Sequence, residues 1–207
     1  MRAQNTNFSI LFLIAAIMSL APIRGIANEK DEADLMARLR GENMTMKTIG
    51  GGKGDIFGYA YLHEGERFTE ITLHWKSVVD GISFKTDLDH STKYGNIDGS
   101  GDNPKDTNHG PPLTLTKNQY IASITIEAAD YQPKKKTYKV IKAITFHIRN
   151  RNGNAEPDFK IRGEDTSNGA HRSVIDLTPD PANEICGFWG YFGTVMDSLG
   201  IIQRPIK

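Results

Sequence analysis

Near its C-terminal end the chain carries Ile185-Cys186-Gly187-Phe188-Trp189-Gly190-Tyr191-Phe192, running straight into Gly193-Thr194-Val195-Met196-Asp197-Ser198-Leu199-Gly200. The pattern reads as strand, tight loop and strand, with one carboxylate, Asp197, at the loop. Glycine opens backbone conformations closed to other residues, so the amides after Gly193 can be aimed at a ligand while Asp197 supplies an ionised acceptor. Amide donors beside a carboxylate acceptor suit the recognition of hydroxyl groups. Gly and Asp are also ordinary turn residues, so taken alone the loop is open to a plain hairpin whose Asp caps its own turn.

The segments that must position this loop read as strands. Ile71, Leu73 and Trp75 alternate with Thr72 and His74, and Ile82 and Phe84 alternate with Ser83 and Lys85. Ile124 and Ile126, Val140, Ile144, Phe146 and Ile148, then Val174, Ile175 and Leu177 continue the theme. Turn-rich spans from His90 to Pro112, Arg149 to Pro157 and Gly163 to Gly169 separate these runs. Many short strands after residue 46 predict an all-β domain: a sandwich, a barrel or a prism.

An internal echo points to three units. Ser77-Val78-Val79-Asp80-Gly81-Ile82, Lys139-Val140-Ile141-Lys142-Ala143-Ile144 and Thr194-Val195-Met196-Asp197-Ser198-Leu199 share a polar-Val-apolar-charged-small-apolar pattern. The anchors Asp80, Lys142 and Asp197 recur at intervals of 142−80 = 62 and 197−142 = 55 residues. A glycine-rich loop, Gly50-Gly51-Gly52-Lys53-Gly54-Asp55-Ile56-Phe57, heads the first unit.

With these residues placed, the chain resembles the jacalin-related lectins. Members open with a Gly-Gly loop followed by an aromatic residue. They close with a Gly-Phe-x-Gly strand, a Gly-x-x-x-Asp sugar loop and an Ile/Leu-Gly strand. His109-Gly110 ahead of Leu113-Thr114-Leu115, then Gln119-Tyr120-Ile121 with Ile124, and Ile144-Thr145-Phe146 fit as middle landmarks, so the resemblance runs from about Lys47 to Pro205. It implies a β-prism of three four-stranded antiparallel sheets with pseudo-threefold symmetry; a sandwich is the alternative.

Carried onto this chain, the family's site implies that Gly51 lines the sugar from the first loop, with Gly52 as its alternative if the loop is shifted. Gly193 makes the turn, Thr194 and Val195 present backbone amides, and Asp197 accepts from two sugar hydroxyls. The resemblance further implies a reversible, non-enzymatic binder of mannose- or glucose-type termini on glycans or glycoproteins. In the family, galactose preference accompanies a cleavage that frees an N-terminal glycine at the first loop, and here the chain runs through it uninterrupted. Two rivals remain: a protein-interaction or effector module on the same fold, and a glycoside hydrolase. A hydrolase would pair Asp80 with Asp197, residues that threefold repetition assigns to separate places.

The other candidates carry less. Lys76 stands where a second Gly-x-x-x-Asp would need glycine ahead of Asp80, and Lys142 replaces the acid in the middle unit. Asp98, Asp102 and Asp106 suggest calcium, but an EF-hand loop starting at Asp98 would need Glu where His109 stands. The histidines lack zinc-ligand spacing, and Ser173 lacks a Gly-x-Ser-x-Gly setting. No metal or cofactor is expected.

Composition sets the class of partner. The 207 residues hold 25 basic and 25 acidic side chains, which argues against an electrostatic grip on nucleic acid or an anionic membrane. Residues 1–27 read as a signal peptide, with an apolar run from Phe8 to Ala21 and small residues at Gly25-Ile26-Ala27, so secretion without stable membrane insertion is expected. Residues 28–45 read as a charged leader able to form a short helix with a narrow apolar stripe, too small to fold alone. The lectin-type domain then takes 46–207, with homo-oligomerisation left open. The single cysteine, Cys186, excludes an internal disulfide and reads as a buried apolar residue.

Overall fold

The computed structural model describes residues 29–42, 44–48, 56–75, 78–95, 108–131, 138–162, 173–193 and 195–206. The segment read as a signal peptide and the three aspartates of the calcium reading lie outside these residues. One helix, α1 (Glu29–Gly41), precedes the strands β1 (Thr45–Thr48), β2 (Ile56–Tyr61), β3 (Phe68–Trp75), β4 (Val79–Thr86) and β5 (Ser91–Gly95). There follow β6 (Asn108–His109), β7 (Leu113–Thr114), β8 (Gln119–Tyr131) and β9 (Tyr138–Asn150). The last are β10 (Phe159–Arg162), β11 (Ser173–Leu177), β12 (Asn183–Phe192) and β13 (Gly200–Pro205).

These strands make three antiparallel sheets, ordered β1-β13-β12-β2, β5-β4-β3-β6 and β10-β9-β8-β11. β7 pairs with the same strand, β3, as β6 does. Pro111 and Pro112 lie between them and have no amide hydrogen for the ladder, so β6 and β7 act as one interrupted fourth strand. Each sheet is therefore a central hairpin with one strand on either side, the β-prism arrangement.

The threefold repetition extends to backbone irregularities. Close to the start of each first central strand the register slips, leaving one extra residue: Thr69 on β3, Ala122 on β8 and Cys186 on β12. Towards the hairpin tip a second slip falls on the other central strand, with Asp80 extra on β4 and Lys142 extra on β9. In the third hairpin Trp189 pairs with Gly200 and Phe192 with Met196, so three steps out are matched by four back, and the extra residue falls within Asp197–Leu199. The anchors of the sequence echo thus mark a recurring bulge. Such an insertion bends the strand and re-aims its side chains.

The inward faces meet in an aromatic joint. Phe188 of β12 lies 6.1 Å from Phe68, 6.5 Å from Phe84 and 6.3 Å from Phe146, ring centroid to ring centroid, so it touches both other sheets. Ile71, Leu73, Ile82, Ile124 and Ile144, on the alternating positions that the strand pattern predicts, are fully buried in the same core cluster, as is Ile201. Gly187 is fixed by close approach: a β-carbon there would sit 2.4 Å from Tyr61 Cβ and 2.7 Å from the Ala60 oxygen.

The opposite face of the first sheet carries Phe57, Tyr59 and Tyr61 beside Trp189 and Tyr191. Helix α1 packs there, and its Leu35 and Leu39 are fully buried in the core cluster. The stretch read as a leader is thus a packed part of the body. Its stripe is too small to fold alone, but the aromatic face supplies the missing partner. Among the described residues, no helix is long and apolar enough to cross a membrane.

Cys186 is fully buried, its thiol 3.8 Å from the Met44 sulfur and 3.5 Å from the Ile202 carbonyl. Burial pushes the thiol pKa up to about 12, so the reactive thiolate is suppressed throughout the neutral range. Folded protein at pH 8 is expected to take up no iodoacetamide, whereas protein in concentrated guanidinium takes up one equivalent, as mass spectrometry will show. Stoichiometric labelling of folded protein would place Cys186 on an open surface.

Candidate functional site

The loop after β12 is held from both sides. Met196 and Leu199 are buried and pin its inner edge, while Gly193, Val195 and Asp197 remain half-buried at the rim. The Gly193 amide donates to the Val195 carbonyl at 3.0 Å, closing the turn. Tyr191 supports the return limb: its carbonyl accepts from the Asp197 amide at 3.1 Å and the Ser198 amide at 3.0 Å, and its amide donates to Ser198 Oγ at 2.9 Å. The Met196 amide donates to the Val79 carbonyl of β4 at 3.2 Å.

These bonds divide the donors of the loop. The amides of Gly193, Met196, Asp197 and Ser198 are consumed in shaping it. The Val195 amide makes no hydrogen bond to another described residue and stands at the rim with the Asp197 carboxylate in the same loop. One amide donor and one carboxylate together can donate to and accept from adjacent hydroxyls. Gly51 and Thr194, the other two expected site residues, lie outside the described residues.

The three equivalent hairpin ends differ at their anchors. Asp80 is 7% exposed and Lys142 6%, whereas Asp197 is half-buried. The bond between Met196 and Val79 corrects one expectation: the ends of the first and third hairpins adjoin and are not separate places. Proximity does not make a glycosidase pair, since both carboxylates would have to reach a scissile bond and Asp80 is closed off. Among the described residues, no group of three His, Cys, Asp or Glu side chains could hold a metal ion.

Sequence reasoning missed the support of the loop. Ser198 and Tyr191 were legible as neighbours, but the Val79 carbonyl carries no side-chain signature. Glu32, which accepts from the Tyr191 hydroxyl at 3.0 Å, lies 159 residues away in the chain.

A family model described as the Jacalin-like lectin domain matches residues 46–202. The chain belongs to this family. Solved lectin structures share the fold. A Malaysian banana lectin variant superposes with a TM-score of 0.54 at 19% identity, over 79% of this chain and 99% of its own. The Calystegia sepium agglutinin gives 0.55 at 16% identity, over 78% and 97%. Artocarpin, solved in complex with mannotriose, gives 0.53 at 15% identity, over 78% and 98%. No curated protein matches the sequence. The matched span begins at residue 46, so α1 precedes the part of this jacalin-like protein that the family model describes.

Proposed function

We propose that this jacalin-like protein is a secreted, non-enzymatic lectin whose Gly193–Asp197 loop, completed by Gly51 and Thr194, reversibly binds one terminal sugar of the mannose or glucose type. The observation that carries the reading is the contrast between the three hairpin ends. Asp80 and Lys142 are buried, whereas Asp197 is half-buried, in one loop with the Val195 amide, which bonds to no other described residue. The mannotriose bound to artocarpin, and the description of the pineapple relative from Ananas comosus as mannose binding, support the choice of sugar. The charge balance and the N-terminal apolar run support an extracellular glycan partner over nucleic acid or membrane.

One shallow ring offers few contacts against the cost of association, so methyl α-mannoside is expected to bind near millimolar, or about 4 kcal/mol. Isothermal titration with methyl mannoside and methyl galactoside measures this. Chromatography of an oligomannose sample left with the protein should return it unaltered, because Asp197 by itself does not supply the pair of groups that glycoside cleavage requires. Galactose binding without mannose binding would overturn the specificity. Released sugar would overturn the lectin reading, and absence of any sugar binding would favour the interaction-module alternative.

A further inference from the structure

We propose that helix α1 positions the sugar loop through a Glu32–Tyr191 clasp, so that affinity depends on a segment lying ahead of the lectin domain proper; this rests on the lectin reading of Asp197. Tyr191 is bonded in two directions. Its hydroxyl donates to Glu32 Oε2 at 3.0 Å, and its main chain holds Asp197 and Ser198 through the three bonds described above. A single residue thus joins the helix to the limb that carries the carboxylate.

The helix is itself fixed well enough to act as a reference. Glu32, Leu35, Leu39 and Glu42 follow one another at the three- and four-residue spacing of a single helix face, with Arg38 beside Leu39 and Glu42 just beyond the last turn. Leu35 and Leu39 are fully buried, Arg38 donates to the hydroxyls of Tyr59 at 3.1 Å and Tyr61 at 3.4 Å, and Tyr61 donates to Glu42 at 3.2 Å. The Tyr191 ring packs edge-on against Phe57, 5.4 Å between centroids, leaving its hydroxyl aimed at the helix. A carboxylate acceptor makes the stronger class of hydrogen bond and ties the ring to this frame. Binding groups must be held within a fraction of an ångström to be preorganised, and a rim loop gains that precision only from what supports it.

The test uses the whole secreted chain with Glu32→Ala, Glu32→Gln and Tyr191→Phe, the last two chosen to preserve packing. Glu32→Ala and Tyr191→Phe are expected to weaken methyl mannoside binding three- to tenfold, with the far-ultraviolet spectrum unchanged. Hydrogen exchange at the Asp197 and Ser198 amides should quicken in both. Glu32→Gln retains an acceptor oxygen and should recover most of the affinity and protection, a rescue that mere helix packing would not show. Unchanged exchange in both Glu32→Ala and Tyr191→Phe overturns the clasp, whatever the sugar result. If wild-type protein binds no sugar, the lectin reading fails, while exchange at the two amides still decides whether the helix holds the loop.

Discussion

Replacing Phe188 with alanine is expected to destabilise the domain by about 3–5 kcal/mol, the largest loss of any single truncation we foresee. The ring belongs to the first sheet but packs on Phe68 and Phe84 of the second and Phe146 of the third, and it is fully buried. Its removal costs transfer energy and leaves a cavity where aromatic rings of all three sheets meet. Twisted sheets built on bulged strands cannot collapse readily into such a space. A native domain has only ~5–15 kcal/mol of stability, so much of it would be consumed. Urea unfolding followed by tryptophan fluorescence measures the loss. Val174→Ala, on an exposed side chain of β11, should stay within about 0.5 kcal/mol of wild type and serves as the control. A loss below about 1 kcal/mol for Phe188→Ala would mean that the sheets are held together elsewhere.

The same joint shows what could be read from the chain. The alternation of Ile71 and Leu73 with Thr72 and His74 is local, because a strand buries every second side chain, and the structure buries the two apolar residues as expected. The echo of Asp80, Lys142 and Asp197 was legible for a deeper reason: a bulge recurs at equivalent places, and the residue it inserts stands out from the apolar run around it. Thr69, Ala122 and Cys186 occupy an equally regular bulge and gave no sign of it, because backbone slippage there is tolerated by three dissimilar side chains. Pairings between distant segments were equally hidden. The Val79 carbonyl that steadies Met196 is present in every residue type, and a leader of mixed charge does not announce the aromatic face on which Leu35 and Leu39 are buried. The loop could therefore be found from sequence, but the structure that holds it could not.

Asp197→Asn is expected to weaken sugar binding by at least ~1.5 kcal/mol, more than tenfold, without unfolding the protein. The substitution exchanges an ionised acceptor of two hydroxyl hydrogen bonds for a neutral amide, one side of which presents N–H groups to a donor. The loop itself should survive, because Asp197 is fastened by its main-chain amide to the Tyr191 carbonyl and its neighbours Met196 and Leu199 are buried, features that asparagine leaves in place. Asp80→Asn provides the comparison. Asp80 is buried at the β4 bulge, so sugar affinity should remain within about twofold of wild type even though the two hairpin ends adjoin. Calorimetric titration of both variants with methyl mannoside, beside their urea midpoints, separates lost recognition from lost folding. Equal losses of affinity would mean two working sites. An Asp197→Asn protein that binds as wild type would remove the carboxylate from the site, and with it the meaning of the contrast between half-buried Asp197 and the buried anchors Asp80 and Lys142.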